Sequence, residues 1–218
     1  RLGQDIVLAS DLTISNSMIS RNGSCSIGAN TLLLEGDYTS TSGDLKGTIL
    51  SNLTINGLNP ITSAIVFDLG ANNLGTLTKN SGSETLTLGT DLNIATALVI
   101  TAGTVSNGGN IIDGSTGAAL NLAAGSNLTL NGTTTFPTFT SETIDRTSTV
   151  EYAGGVQSVA VKDYGHIKFS AADVKSLAGP GGNLAGEMSI TAGTFNMGDH
   201  AFTFKSDATG TAQLLEIT

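Results

Sequence analysis

Charge is scarce in this chain. Asp, Glu, Lys and Arg make up 12% of its 218 residues, about half of what ordinary globular domains carry. With so few basic residues there is no Lys/Arg cluster for phosphate, which argues against nucleic acid. The net charge of -9 disfavours anionic membranes as well. Tryptophan is absent and aromatics are 5%. The only cysteine, Cys25, excludes an intrachain disulfide, and within Ser-Cys-Ser-Ile it reads as a small buried residue rather than a nucleophile. A catalytic thiol would want a histidine, and neither His166 nor His200 stands in a recognisable motif. No run approaches the ~20 apolar residues of a membrane span. No signal peptide is visible and the first residue is Arg, so the expectation is a processed protein or a fragment.

What is present is apolar content in short, regular bursts. Hydrophobic residues are 39% and mean hydropathy is +0.16, too apolar for disorder, and 28 glycines punctuate the bursts. One stretch occurs twice. Leu98-Val-Ile-Thr-Ala-Gly-Thr-Val-Ser-Asn-Gly-Gly-Asn110 returns as Met188-Ser-Ile-Thr-Ala-Gly-Thr-Phe-Asn-Met-Gly-Asp-His200. Each copy reads as a strand, a glycine turn, a second strand and another glycine turn. Such a unit is too short to bury its own apolar face, so copies must stack.

A second signature is a polar residue, Leu, Thr or Asn, then Ile or Leu. It appears as Asp11-Leu-Thr-Ile14, Asn52-Leu-Thr-Ile55, Asp91-Leu-Asn-Ile94 and Asn127-Leu-Thr-Leu130. The aliphatics should point inward and Thr or Asn outward, with Asp or Asn shaping its own corner. Runs of three to five residues separated by short gaps are too brief for helices. The expectation is an all-β fold, a right-handed parallel β-helix of roughly nine to eleven coils at ~20–25 residues each. Stacked at ~4.8 Å per coil, the rod would be ~45–50 Å long. The domain reading is one elongated unit over 1–218, with a sub-boundary near 140–148 where the aromatic content rises.

Candidate chemistry is thin. Asp68, Asp91, Asp113, Asp163 and Glu187 stand singly, and general acid–base work needs a carboxylate pair ~5–9.5 Å apart. Gly108-Gly-Asn-Ile-Ile-Asp113 and Gly198-Asp199 are the nearest approach to a calcium-binding solenoid repeat, with too few carboxylates for a six- to eight-oxygen shell. Thr13, Thr54, Thr87 and Thr129 point outward by alternation, as a flat ice-binding rank would need, although threonine is also simply a good strand former. Asn22, Asn52, Asn127 and Asn131 open glycosylation sequons that Asn corners before Thr-rich strands create anyway. Tyr152, Tyr164 and Phe169 are the one aromatic cluster that could line a ligand face. The strands around Leu12 and Ile14, and around Leu214, Leu215 and Ile217, are candidates for self-assembly.

Val150-Glu-Tyr-Ala-Gly-Gly-Val-Gln-Ser-Val159, Asp163-Tyr-Gly-His-Ile-Lys-Phe-Ser170, Lys175-Ser-Leu177, Ile190-Thr-Ala-Gly-Thr-Phe195 and Ser206-Asp-Ala-Thr-Gly-Thr-Ala-Gln213 carry a resemblance. They resemble the β-solenoid repeats of Bacteroidetes surface proteins exported by the type IX system. The resemblance covers 148–217 well and the earlier residues loosely. It implies an extracellular adhesin or filament protein with no shared catalytic residues. The expected function is therefore a non-enzymatic building block of a surface fibre or stalk-like adhesin, without a cofactor or metal. Its partners would be further copies, neighbouring repeats of a longer chain, or surface polysaccharide. The alternatives are a polysaccharide-binding or polysaccharide-cleaving β-helix and an ice-binding solenoid.

Overall fold

The computed structural model describes residues 4–57, 61 and 63–204, together with the backbone of 215–217. Among these residues there are strands and turns and no helix. Every strand pairing is parallel, and the strands wind into a β-solenoid of about 10 turns. The sequence reason is the alternation itself. Asn52–Ile55 and Asn127–Leu130 both run half-buried, buried, half-buried, buried, so the period of two is realised with Leu and Ile inside.

Three strips of sheet make the walls. The first, sheet A, stacks 85–87, 104–106, Asn127–Leu130, Thr149–Tyr152, His166–Phe169, Met188–Ile190 and Leu215–Ile217. Sheet B is built from Ile6–Val7, Ser24–Ser26, Asp44–Gly47, 72–74, 92–94 and Ile112–Gly114, and later from Gln157–Val159, Val174–Leu177 and Thr194–Asn196. Sheet C stacks Leu12–Ile14, Thr31–Leu34, Asn52–Ile55, 76–79, 97–100, Ala119–Leu122 and Ser141–Ile144. Register places like on like inside. One column of sheet C reads Leu12, Leu32, Leu53, Leu77, Leu98, Leu120. Burying such ladders gives ~25 cal/mol for each Å² removed from water, so even small aliphatics sum to a large term.

The repeated stretch occupies two different places in the coil. In the first copy, Leu98–Ile100 lies in sheet C and 104–106 in sheet A. In the second, Met188–Ile190 lies in sheet A and Thr194–Asn196 in sheet B. The motif is therefore a portable corner, and its glycine explains the identity. Gly103 and Gly193 have φ of 76° and 81°. A Cβ there would also stand 2.4–2.5 Å from carbonyl oxygens of the preceding coil, Gly82 in one case and Ala171 and Asp173 in the other. Only glycine meets both demands.

One expectation needs correcting. Asp68 and Asp145 do shape their own corners by accepting the N–H two residues on, but the aspartates of the Leu-Thr/Asn-Ile signature reach to the next coil, as Asp5 does. Asp5 accepts the Ser24 N–H at 2.8 Å, Asp11 that of Thr31 at 2.7 Å and Asp91 that of Ile111 at 2.7 Å, each 19 or 20 residues on. The interior is also not free of charge. Lys79 continues the column Leu34, Ile55, Lys79, Ile100, Leu122, and Lys175 sits between Gln157 and Phe195. Both are 0% exposed. Their stems pack among apolar neighbours while the ammonium turns to main-chain oxygen. Lys79 Nζ donates to the Ser81 carbonyl and to Ser81 Oγ, the latter at 3.0 Å, and Lys175 Nζ donates to the carbonyls of Gly154 and Gly155 at 2.9 and 2.8 Å. Desolvation lowers the pKa of both.

The walls themselves break near residue 145. Sheet C ends at Ser141–Ile144, where the column of leucines meets Glu142. Lys162 closes that end with an ion pair at 2.7 Å and places its ammonium 5.4 Å from the Phe136 ring centre. Beyond it, Gln157–Val159 and Asp163–Tyr164 begin two separate three-stranded sheets, while sheet A alone continues.

Candidate functional site

The sequence-derived candidates scatter. Tyr152, Tyr164 and Phe169 are at most 1% exposed, so the reading of these rings as a ligand face is overturned. They pack the interior instead. Tyr152 pairs in register with Phe169, whose ring lies 4.7 Å centre to centre over Phe195. Tyr164 stacks on Phe202. The two phenols satisfy one another at 2.8 Å, and Tyr164 donates to the Ala160 carbonyl while the Ala160 N–H donates to Tyr152. Burial pushes the Tyr152 hydroxyl up to about 12 and Tyr164 well above its ordinary value. The signal was there: in Val150-Glu-Tyr152 and Ile167-Lys-Phe169 the alternation that buries the aliphatic also buries the ring.

The four threonines do not form one rank. Thr13 and Thr54 belong to one outward column with Leu33 between them; Thr87 and Thr129 belong to another with Ser106 between them. Cys25 is buried in sheet B, where lost solvation raises its thiol pKa. His166 accepts the Glu187 N–H at Nδ1, 2.9 Å away. Among the described residues no group of three or more His, Cys, Asp or Glu is placed to hold a metal.

Of the five acidic candidates, three are held locally. Asp68 accepts the Gly70 N–H and faces Lys46 at 3.9 Å, Asp163 accepts from the Asn183 side chain, and Glu187 lies beside His166. Asp91 and Asp113 come together on one open cleft of about 460 Å³. Its floor is Ile111, Ile112 and Asp113; its wall is Thr133–Phe136 with Thr138.

The wall exists because one coil makes a long excursion from Asn131 to Thr140 before it resumes sheet C at Ser141–Ile144. Two buried amides fasten it. Asn107 Oδ1 accepts the Asn131 and Gly109 N–H groups at 2.7 and 3.2 Å, while its Nδ2 donates to the Asn110 carbonyl and Thr134 Oγ1, both at 2.7 Å. From the other side, Gln157 Nε2 donates to the carbonyls of Leu130 and Thr134 at 3.1 Å. These partners lie 23 to 27 residues away, about one coil, which is why no local motif revealed the cleft.

At the end of the rod that begins with Ile6–Val7, the strands Leu12–Ile14 and Ser17–Ser20 each have one partner strand among the described residues. Leu12 is 36% exposed, although the later leucines of its column are at most 1% exposed. Of the candidate strand at the other end, Leu215 and Ile217 lie in a strand paired with Met188–Ile190, and Leu214 lies outside the described residues.

No protein-family model matches the chain, and neither a curated protein nor a solved structure matches it.

Proposed function

We propose that the chain is a non-enzymatic extracellular structural module, a building block of a surface fibre or stalk-like adhesin that adds to a second copy end to end. The observation that supports this most is the state of Leu12. It stands in a column whose other leucines are sealed by the coil above and the coil below, yet it is 36% exposed, beside strands that each have one partner strand among the described residues. A strand edge of this kind is a template for another chain, and nothing charged or proline-bearing blunts Leu12–Ile14 itself. A further coil would seal Leu12 and continue the ladder.

The test is electron microscopy and sedimentation of the purified chain over rising concentration, beside Leu12→Lys and Ile14→Lys. The reading expects rods that join into filaments whose axial repeat matches the rod length, and variants that remain single rods at every concentration. Single rods from the unaltered chain, or variants that assemble equally well, would defeat it.

A further inference from the structure

A stack of similar coils presents flat walls, so a concavity needs a reason. The cleft under Thr133–Phe136 is one place where this rod departs from flatness, and the departure is held firmly. Asn107 and Gln157, both buried, direct amide groups to the excursion, and Lys162 lies against Phe136. A wall fixed in this way lets a ligand bind without ordering a loop first.

The lining states the chemistry. Asp91 is exposed and has one oxygen engaged by the Ile111 N–H, and Asp113 stands exposed in the strand pairing with 92–94. Thr133, Thr135 and Thr138 are exposed hydroxyls, and Ile111, 57% exposed, offers an aliphatic surface. No Lys, Arg or His lines the cleft, and the Lys162 ammonium beside Phe136 is already paired with Glu142. Two carboxylates without a cation repel phosphate, sulfate and uronic acids. They accept strongly from paired hydroxyls, since O–H···O⁻ bonds are charge-assisted. An aliphatic side chain beside such acceptors suits the C–H face of a pyranose ring. At about 460 Å³ the cleft falls within the ordinary range of small-ligand sites, ~300–1,000 Å³.

We propose that this cleft is a binding site for a neutral, hydroxyl-rich sugar unit, with Asp91 and Asp113 accepting its hydroxyls and Ile111 packing on its ring. The site goes beyond the structural role and does not depend on it, because single rods carry the whole cleft.

The test is an amide NMR titration of the intact chain, with chelator present, using cellobiose, maltose and lactose, and digalacturonate as the acidic probe. The expected result is a saturable shift with at least one neutral disaccharide, confined to residues 109–113 and 133–138, with a dissociation constant on the order of 1 mM. Asp113→Ala should weaken it at least ~5-fold, the loss of an interaction of ~1 kcal/mol. Thr135→Ala, also at an exposed position, should weaken it less, and both variants should melt with the unaltered protein. Digalacturonate should give no saturable shift. No saturation with any neutral disaccharide, shifts elsewhere on the rod, undiminished affinity in Asp113→Ala, or equal binding of digalacturonate would each overturn the proposal. None of these readouts involves filament formation, so failure here leaves the end-to-end reading standing, and the reverse.

Discussion

The coils before residue 145 and those after it fill the same kind of interior with different side chains. The earlier coils stack leucine on leucine in sheet C, with Leu32, Leu53, Leu77, Leu98 and Leu120 in register. The later coils stack rings, Tyr152 on Phe169 on Phe195 and Tyr164 on Phe202. Aliphatic ladders tolerate sliding, because one methyl-bearing side chain fits against the next in many ways. Rings have preferred offsets and, in tyrosine, a hydroxyl that must find a partner. The aromatic part therefore carries a fixed polar contact between its rings, the Tyr152–Tyr164–Ala160 arrangement, and the aliphatic part turns its buried polar groups to nearby main chain and hydroxyls, as at Lys79 and Asn107. Where the two meet, sheets B and C stop and restart while sheet A runs through. The difference teaches that one continuous strip of backbone can join two packing styles, provided the break is confined to the other walls.

The largest test of that contrast is Phe169→Ala. It removes the ring between Tyr152 and Phe195 and should cost about 4 kcal/mol. Hydrogen exchange should quicken over 149–196 while 24–122 stays protected. Uniform loss of protection along the chain would mean that the two parts behave as one cooperative unit, and the comparison would lose its energetic content.

Alkali should strike both parts, at a place set by their phenols. Burial holds Tyr38 and Tyr152 up to about 12 and lifts Tyr164 well above its ordinary value. Each acid is harder to ionise when folded, so its contribution is fully present below the unfolded value near 10 and is lost as pH climbs from 10 towards 12. For Tyr152 this amounts to about 3 kcal/mol. Absorbance near the phenolate band should stay flat until the chain unfolds and then rise abruptly. Tyr38→Phe tests the first part and Tyr164→Phe the second. Smooth ionisation around pH 10 in a still-folded chain would contradict the buried placement of the rings.

A smaller effect is expected from Lys79→Met, which makes the aliphatic ladder continuous. Removing a buried ammonium whose hydrogen bonds go to the Ser81 carbonyl and hydroxyl should stabilise by about 1 kcal/mol, a rise of roughly 2–4 °C in melting temperature. A fall instead would show that the bonds to Ser81 hold the corner more than the buried charge strains it.

Much of the fold was legible from residues alone. Asn52-Leu-Thr-Ile55 announces its buried and outward positions, and Ala102-Gly-Thr104 announces a corner that cannot carry a side chain. The misreadings came from letting residue type outrank position. The rings of Tyr152 and Phe169 stand at inward positions of their strands, and their chemistry argued wrongly for a ligand face. Lys79 likewise occupies an inward position, continuing the alternation that buries Leu77 two residues earlier. The cleft was illegible for a different reason. Asp91, Asp113 and Thr135 come together only when the coil length is known residue by residue, and the amides that fix the wall, Asn107 and Gln157, look like any turn residue in a chain rich in them.

The parallel pairing has a mechanical consequence. Backbone hydrogen bonds between coils run along the rod, so a pull along that axis loads them one after another and not all at once. A coil contributes ~4.8 Å of length while it is stacked. Peeled away, its 20 or so residues reach ~70 Å. A tether built this way yields by lengthening in steps and can spend the energy of a sudden tug coil by coil, leaving the coils still stacked to hold the load.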